Sequence, residues 1–214
     1  MNKLLVFDLD GTLIDSVGGI ANSVNLLRKD FGLPPLDEKL ITTFVGDGAK
    51  KLLERSFKNE VLPVSIDEAV KRMIVHYAAD PLHNTTLYCG VADTLHHLRD
   101  AGYLLTVVSN KPQEVTEKIL AGLGILPLLT ENIGGGSGFP LKPAPDALLH
   151  LLTKYHASPE NSFVIGDNHT DINAAANAGM RSVFCRFGIG NKGETVPDFE
   201  VDSFSELTAI LLPE

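Results

Sequence analysis

The stretch Leu4–Ser16, LLVFDLDGTLIDS, ends a short apolar run in Asp8 and Asp10, with Gly11 and Thr12 straight after. Side chains alternate faces along an extended chain, so carboxylates two residues apart point the same way if the strand continues. Two such anions repel and raise each other's pKa unless a positive charge lies between them. Either they separate in a solvated Asp-Gly turn, or they share a cation. Three later stretches bear on the choice. LLTVVSNK closes on Ser109, Asn110 and Lys111; FPLKPAPD carries Lys142; FVIGDNHTD ends in Asp167, with Asp171 four residues on.

Singly, each of these has a plain structural reading. Ser109 and Asn110 could cap the next helix, Lys142 could be a solvated loop lysine, and Asp171 could favour the positive end of a helix dipole. Jointly, at successive strand ends, they place four carboxylates, a hydroxyl and a lysine along one edge of a sheet, where ligands gather in open parallel sheets. The chemistry that suits them is a metal beside a phosphate. Converging carboxylates are tolerated around Mg²⁺, a hard cation that favours oxygen ligands. Ser109, neighbouring main-chain N–H groups and Lys142 would bind phosphoryl oxygens. Phosphoryl transfer needs little beyond positioning and charge stabilisation; one carboxylate can attack while the other trades protons.

The elements that must position these groups are legible as apolar runs. Lys3–Phe7, Leu104–Ser109, Ser162–Gly166 and Ser182–Cys185 read as strands buried on both faces, with a weaker fifth over Leu128–Ile133. Helical patterns lie between them at Val91–Ala101, Val115–Ala121, Ala144–Tyr155 and Ile172–Ala178, most closed by a glycine. The alternation predicts an α/β fold with a parallel, Rossmann-like sheet. Residues 16–81 break the rhythm: four amphipathic patterns, Ile20–Phe31, Asp37–Phe44, Ala49–Phe57 and Ile66–Tyr77, predict an inserted all-helical domain. The core would comprise residues 1–15 and 82–214, with Pro81–Gly90 as a hinge. Gly134–Gly138, GGGSG, reads as a mobile loop.

Composition bounds the rest. With 214 residues, 44% hydrophobic and 21% charged, the chain can bury an ordinary core. A net charge of −9 argues against nucleic-acid binding but says little about one small anionic substrate. Cys89 and Cys185 fit neither a redox pair nor a zinc cluster, and read as free thiols. No stretch has the length of a membrane span, and Leu4–Phe7 is too short for a signal peptide. A soluble cytoplasmic protein, with no membrane or nucleic-acid partner and an oligomeric state left open, is the expectation.

DLDGTLIDS, VVSNK, LKPAPD and GDNHTD, in that order, resemble the four motifs of the haloacid dehalogenase-like superfamily, over essentially the whole chain and with its small helical cap. The resemblance implies Asp8 as the nucleophile that forms an aspartyl-phosphate and Asp10 as the acid–base group. It implies Mg²⁺ held by Asp8, the main-chain carbonyl of Asp10 and Asp167, supported by Asp171, with Ser109, Asn110 and Lys142 around the phosphoryl group. Asp10 argues for phosphatases and against dehalogenases, which have no leaving alkoxide to protonate. TFVGDGAKKLLERSF and YAADPLHNTTLYCGV in the cap look similar to phosphoglycolate phosphatases. That implies a small phosphorylated metabolite, 2-phosphoglycolate first. A sugar-phosphate phosphatase, mutase or pyrophosphatase is the alternative, and a silent binding protein the remote one. Gly46, Gly48 and Lys51 are the cap candidates for specificity, with Lys50 and Arg55 as further cations and Asp47 as an ill-fitting acid. His169 and the His96–His97 pair are given no role.

Overall fold

The computed structural model describes residues 2–212. Six parallel strands form one sheet: β1 (Leu4–Phe7), β4 (Leu104–Pro112), β5 (Glu131–Gly135), β6 (Phe163–Gly166), β7 (Arg181–Cys185) and β8 (Phe199–Val201), in the order β5-β4-β1-β6-β7-β8. β1 is buried along its whole length because its side chains feed both faces. Leu5 and Phe7 join a cluster with Leu105 and Val107. Leu4 and Val6 join one with Val108 and Val164 on the other side. Helices cover both faces, as a parallel sheet requires. α5 (Val91–Asp100), α6 (Gln113–Gly122) and α9 (Leu207–Leu211) pack on the first face through residues such as Leu95, Ile119 and Leu207. α7 (Asp146–Lys154) and α8 (His169–Ala178) pack on the second through Leu148, Leu151 and Ala175. The strand order reverses at β1, so the carboxyl ends of β4, β1 and β6 lie side by side at the switch point.

Between β2 (Ile14–Asp15) and β3 (Thr86–Leu87) lie four helices and no strand: α1 (Val17–Asp30), α2 (Glu38–Thr42), α3 (Ala49–Ser56) and α4 (Ile66–Ala79). β2 and β3 pair antiparallel, Ile14 opposite Leu87 and Asp15 opposite Thr86, so the chain leaves and rejoins the core at one place. The start of α4 is written in its cap, where Ser65 accepts a hydrogen bond from the Glu68 N–H and Asp67 and Glu68 complement the dipole. α1 begins earlier than its apolar spacing predicts because Gly18 and Gly19 carry no hydrophobic signal. Gly19 is instead needed for close packing, since a Cβ there would lie 2.9 Å from the His83 carbonyl oxygen.

Several boundaries shift. β4 continues through Ser109, Asn110 and Lys111 to Pro112, with a break in register after Val108. β5 lies later than Leu128–Ile133, after a 3₁₀ turn over Leu126–Leu128, so Gly134 and Gly135 are strand rather than loop. A Cβ on Gly134 would meet the Gln113 Cα at 2.6 Å, which is why that strand end is glycine. The short β2, β3, β8 and α9 have no periodicity to announce them.

One buried cation ties the insertion together. Arg28, 2% exposed, donates through Nε to the Pro34 carbonyl at 2.7 Å and through Nη1 to the Ser56 carbonyl at 2.8 Å. Glu60 lies 3.4 Å from Nη2, and the guanidinium sits over the Phe57 ring at 5.2 Å. Arg28→Leu leaves two carbonyls unpaired and is expected to lower the unfolding free energy by about 1–3 kcal/mol. At about 2–4 °C per kcal/mol for a chain of this size, calorimetry resolves the drop, and an unchanged Tm would show that the arginine holds nothing.

Candidate active site

β1 ends at Asp8, whose N–H donates to the Ile165 carbonyl of β6 at 2.9 Å. The chain then turns tightly: the N–H groups of Thr12, Leu13 and Ile14 all point to the Leu9 carbonyl, and Gly11 takes φ +79°. A Cβ on Gly11 would lie 2.0 Å from Asp167 Oδ2, so this glycine admits a carboxylate from the neighbouring strand as well as making the turn.

The crowding of acids is met by Lys142. Its Nζ donates to Asp8 Oδ1 at 2.8 Å, to Asp171 Oδ1 at 2.6 Å and to the Val108 carbonyl at 2.5 Å, filling all three ammonium donors. Asp171 is wholly buried, and its other oxygen accepts from the Asn168 N–H at 3.0 Å in a capping box that starts α8. Asp171 thus caps α8 with one oxygen and meets Lys142 with the other. Asn110 secures the lysine from behind: its Oδ1 accepts from the Lys142 N–H at 2.8 Å, and its Nδ2 donates to the Lys142 carbonyl at 3.0 Å. Ser109 is buried at the cavity wall, its Oγ accepting from the Lys111 N–H at 3.3 Å.

Asp167 is held differently, by main chain alone. Its Oδ2 accepts from the N–H groups of Ile189 and Gly190, both at 2.8 Å. This loop wraps the aspartate closely, since a Cβ on Gly188 would lie 2.2 Å from the Asp167 Cβ. Sequence reasoning missed the loop, although the glycines of FGIGNKG after β7 were its visible trace.

Asp10 turns away from these acids. Its Oδ1 accepts from the Lys111 Nζ at 2.8 Å and from the Ser16 hydroxyl. The Lys111 ammonium also donates to the Tyr77 hydroxyl of α4 at 2.6 Å. Lys111 and Ser16 stand inside the motifs read from the sequence but received no role there. Tyr77 had no signal, because only the packing of α4 over the sheet brings it in.

Oxygens of Asp8, Asp167 and Asp171 lie within 4.8 Å of one another, while the Asp10 side chain falls outside that set. Burial raises the Asp8 carboxyl from 3.8 to about 6; the Lys142 charge opposes the rise and Asp171 and Asp10 add to it. Burial also raises Asp167 to about 8, with the charges of Asp8 and Asp171 adding and the Gly190 and Ile189 N–H groups offsetting part. One ammonium among three close carboxylates leaves negative charge uncompensated, and an all-oxygen donor set of this kind fits a hard divalent cation.

Over this edge the helical insertion closes a cavity, contributing Ile20, Val45, Leu52, Met73 and Tyr77 to its wall. Gly46 and Gly48 line it too. The Gly46 carbonyl accepts from Asn110 Nδ2 at 3.2 Å, and Cβ atoms at Gly46 and Gly48 would strike Asn168 and Leu141. Lys51 does not reach the cavity: it is solvent-exposed on α3 and pairs with Glu54 at 2.6 Å. Lys50 pairs with Asp67, and Arg55 bonds the Phe44 carbonyl and Asp47, which disposes of the ill-fitting acid. His169 Nε2 lies 3.6 Å from Asp47 Oδ1, at the margin of the site. Cys89 and Cys185 are both free thiols.

Residues 5–185 match the family model described as haloacid dehalogenase-like hydrolase. The chain is 36% identical over 219 residues to a phosphoglycolate phosphatase of Haemophilus influenzae, covering 98% of each chain. It is 37% identical to a phosphoglycolate phosphatase of Pasteurella multocida with the same coverage. A crystal structure described as a predicted phosphoglycolate phosphatase from Haemophilus somnus superposes with a TM-score of 0.91 at 32% identity, over 98% of this chain and 97% of the other.

The raised Asp167 carboxyl makes a pH prediction. Below about 3.8 both folded and unfolded states hold the proton; between that value and about 8 only the folded state does. This group's contribution to stability is therefore fully present at low pH and lost as pH rises through about 8. In EDTA, the Tm followed from about pH 5 to about pH 8 should fall, and Asp167→Asn should flatten the fall. Parallel slopes for the two proteins would refute the burial effect.

Proposed function

The chain belongs to the haloacid dehalogenase-like hydrolase family, and from that premise we propose that it is a Mg²⁺-dependent phosphatase of small phosphomonoesters, with 2-phosphoglycolate as its substrate. The observation that carries the reading is the separate clamping of two neighbouring carboxylates. Lys142 holds Asp8, while Lys111 and Ser16 hold Asp10, so the two acids face the same cavity in different surroundings. Groups so divided suit one nucleophile and one acid–base residue.

In this reading Lys142 occupies Asp8 Oδ1 and leaves the other carboxylate oxygen for attack on phosphorus. The P–O bond to the leaving group breaks as the Asp8–phosphate bond forms, and Asp10 gives the departing alkoxide its proton. Asp10 then takes a proton from the water that hydrolyses the aspartyl-phosphate. Ser109 binds the phosphoryl oxygens, Lys142, its three donors already taken, offsets negative charge beside them, and Asn110 fixes where Lys142 stands. Mg²⁺ would be held by Asp8, the main-chain carbonyl of Asp10 and Asp167, with Asp171 in support, and would supply positive charge against the phosphoryl oxygens. Residues 16–81 serve as a cap over a core of 1–15 and 82–214, and its apolar wall keeps bulk water from the intermediate. A cytoplasmic setting belongs to the same reading; among the described residues no helix is long and apolar enough to cross a membrane.

Hydrolysis of an aryl phosphate should vanish in EDTA and return with Mg²⁺, and turnover indifferent to EDTA would sink the metal assignment. Asp8→Asn should lower kcat by roughly three orders of magnitude or more, with the fold checked by circular dichroism. In a panel ranked by kcat/KM, 2-phosphoglycolate should lead. A sugar phosphate or pyrophosphate ranking above it would overturn the substrate.

A further inference from the structure

Five charged side chains line the cavity: Asp8, Asp10, Asp167, Lys111 and Lys142. Lys142 has no donor left, since Asp8, Asp171 and the Val108 carbonyl take all three. Lys111 has two of its three donors engaged, by Asp10 and by the Tyr77 hydroxyl. Its third has no acceptor among the described residues, although the side chain is only 3% exposed. A buried ammonium with an open donor beside a cavity is an anion site in waiting, because a buried donor left unfilled is costly. The three cap cations singled out in the sequence are not available for this, as Lys50, Lys51 and Arg55 are held by Asp67, Glu54 and Asp47 outside the cavity.

The position of Lys111 says which part of a substrate it meets. It stands at the end of β4, bonded both to Asp10, the group that faces the leaving oxygen, and to Tyr77 of the covering helix. Apart from Tyr77, the side chains that the insertion brings to the cavity wall are apolar, Ile20, Val45, Leu52 and Met73 among them. We propose that Lys111, steadied by Tyr77, is the specificity residue that binds a carboxylate on the leaving group, so that the site selects phosphate esters of short hydroxy acids over neutral esters of the same size. Asp10 and the Tyr77 hydroxyl fix the ammonium in position before substrate arrives. A carboxylate there gains a charge-assisted bond in surroundings with little water to compete for it. A neutral group of the same shape would leave the donor unfilled. This assignment rests on the phosphatase reading above and sharpens it.

The test compares 2-phosphoglycolate with its neutral amide, 2-phosphoglycolamide, as matched esters. The wild-type protein should prefer the acid at least tenfold in kcat/KM, chiefly through KM. In Lys111→Met that ratio should collapse toward one, and Lys111→Arg should restore part of it. Hydrolysis of both esters with equal efficiency by the wild-type protein overturns the Lys111 assignment and leaves the phosphatase reading standing; hydrolysis of neither overturns both. A ratio that Lys111→Met leaves intact, the two rates falling together, would show that the lysine only orients Asp10. Where Lys111→Met fails to fold, the wild-type ratio decides: a preference supports the site, and its absence removes it.

Discussion

Without the Lys142 ammonium, Asp8 and Asp171 would face each other at close range where little water can screen them, and neither could stay ionised at modest cost. Placed among them, the same lysine joins the end of β1, the middle of β4 where its register breaks, and the first turn of α8 through three hydrogen bonds. The surrounding structure serves to keep that nitrogen where it is. Asn110 grips the lysine's main chain on both sides, and the α8 capping box fixes the far carboxylate. A charge that must be buried to be useful needs fixed partners, and here each comes from a different strand or helix.

The other two site aspartates are handled by different physics. Asp167 receives main-chain N–H groups rather than a cation, and these offset only part of the burial and the neighbouring acids that push its carboxyl up to about 8. Asp10 receives a full ammonium and a hydroxyl. Four acids thus meet three kinds of neighbour: a lysine shared by Asp8 and Asp171, a peptide loop on Asp167 and a separate lysine on Asp10. The differences arise from the strand order β4-β1-β6, which brings three unlike connections to adjoining positions.

How much of this could be read from the chain follows from where each signal is stored. Asp8, Ser109, Lys142, Asp167 and Asp171 sit at or close behind the ends of apolar runs, so periodicity and residue type are enough to locate them. The helical insertion was equally legible, because amphipathic spacing and proline punctuation mark it. Lys111 was visible but indistinct, since nothing in VVSNK says which way its side chain leaves a strand that continues to Pro112. Tyr77 and the Gly188–Gly190 loop were not legible at all, because their parts in the site depend on packing between segments far apart in sequence. The Lys51 expectation failed for a related reason: helical spacing placed it on α3 but could not show that Glu54, one turn away, would claim it on the solvent side.

The two-residue ladder of β2 with β3 has a consequence for how such a chain can change over evolutionary time. Ile14 opposite Leu87 and Asp15 opposite Thr86 bring the two ends of the insertion together, so its length does not enter the geometry of the sheet. A longer, shorter or wholly different set of helices could be hung from the same two strands without altering the register of β1 against β4 or β6. The side chains at the ends of β1, β4 and β6 would stay as they are while the cavity wall that the helices supply was exchanged. Chemistry and selectivity are in this sense separately heritable, joined in this chain at the few points, such as Tyr77 on Lys111 and Gly46 on Asn110, where the insertion touches the strand ends.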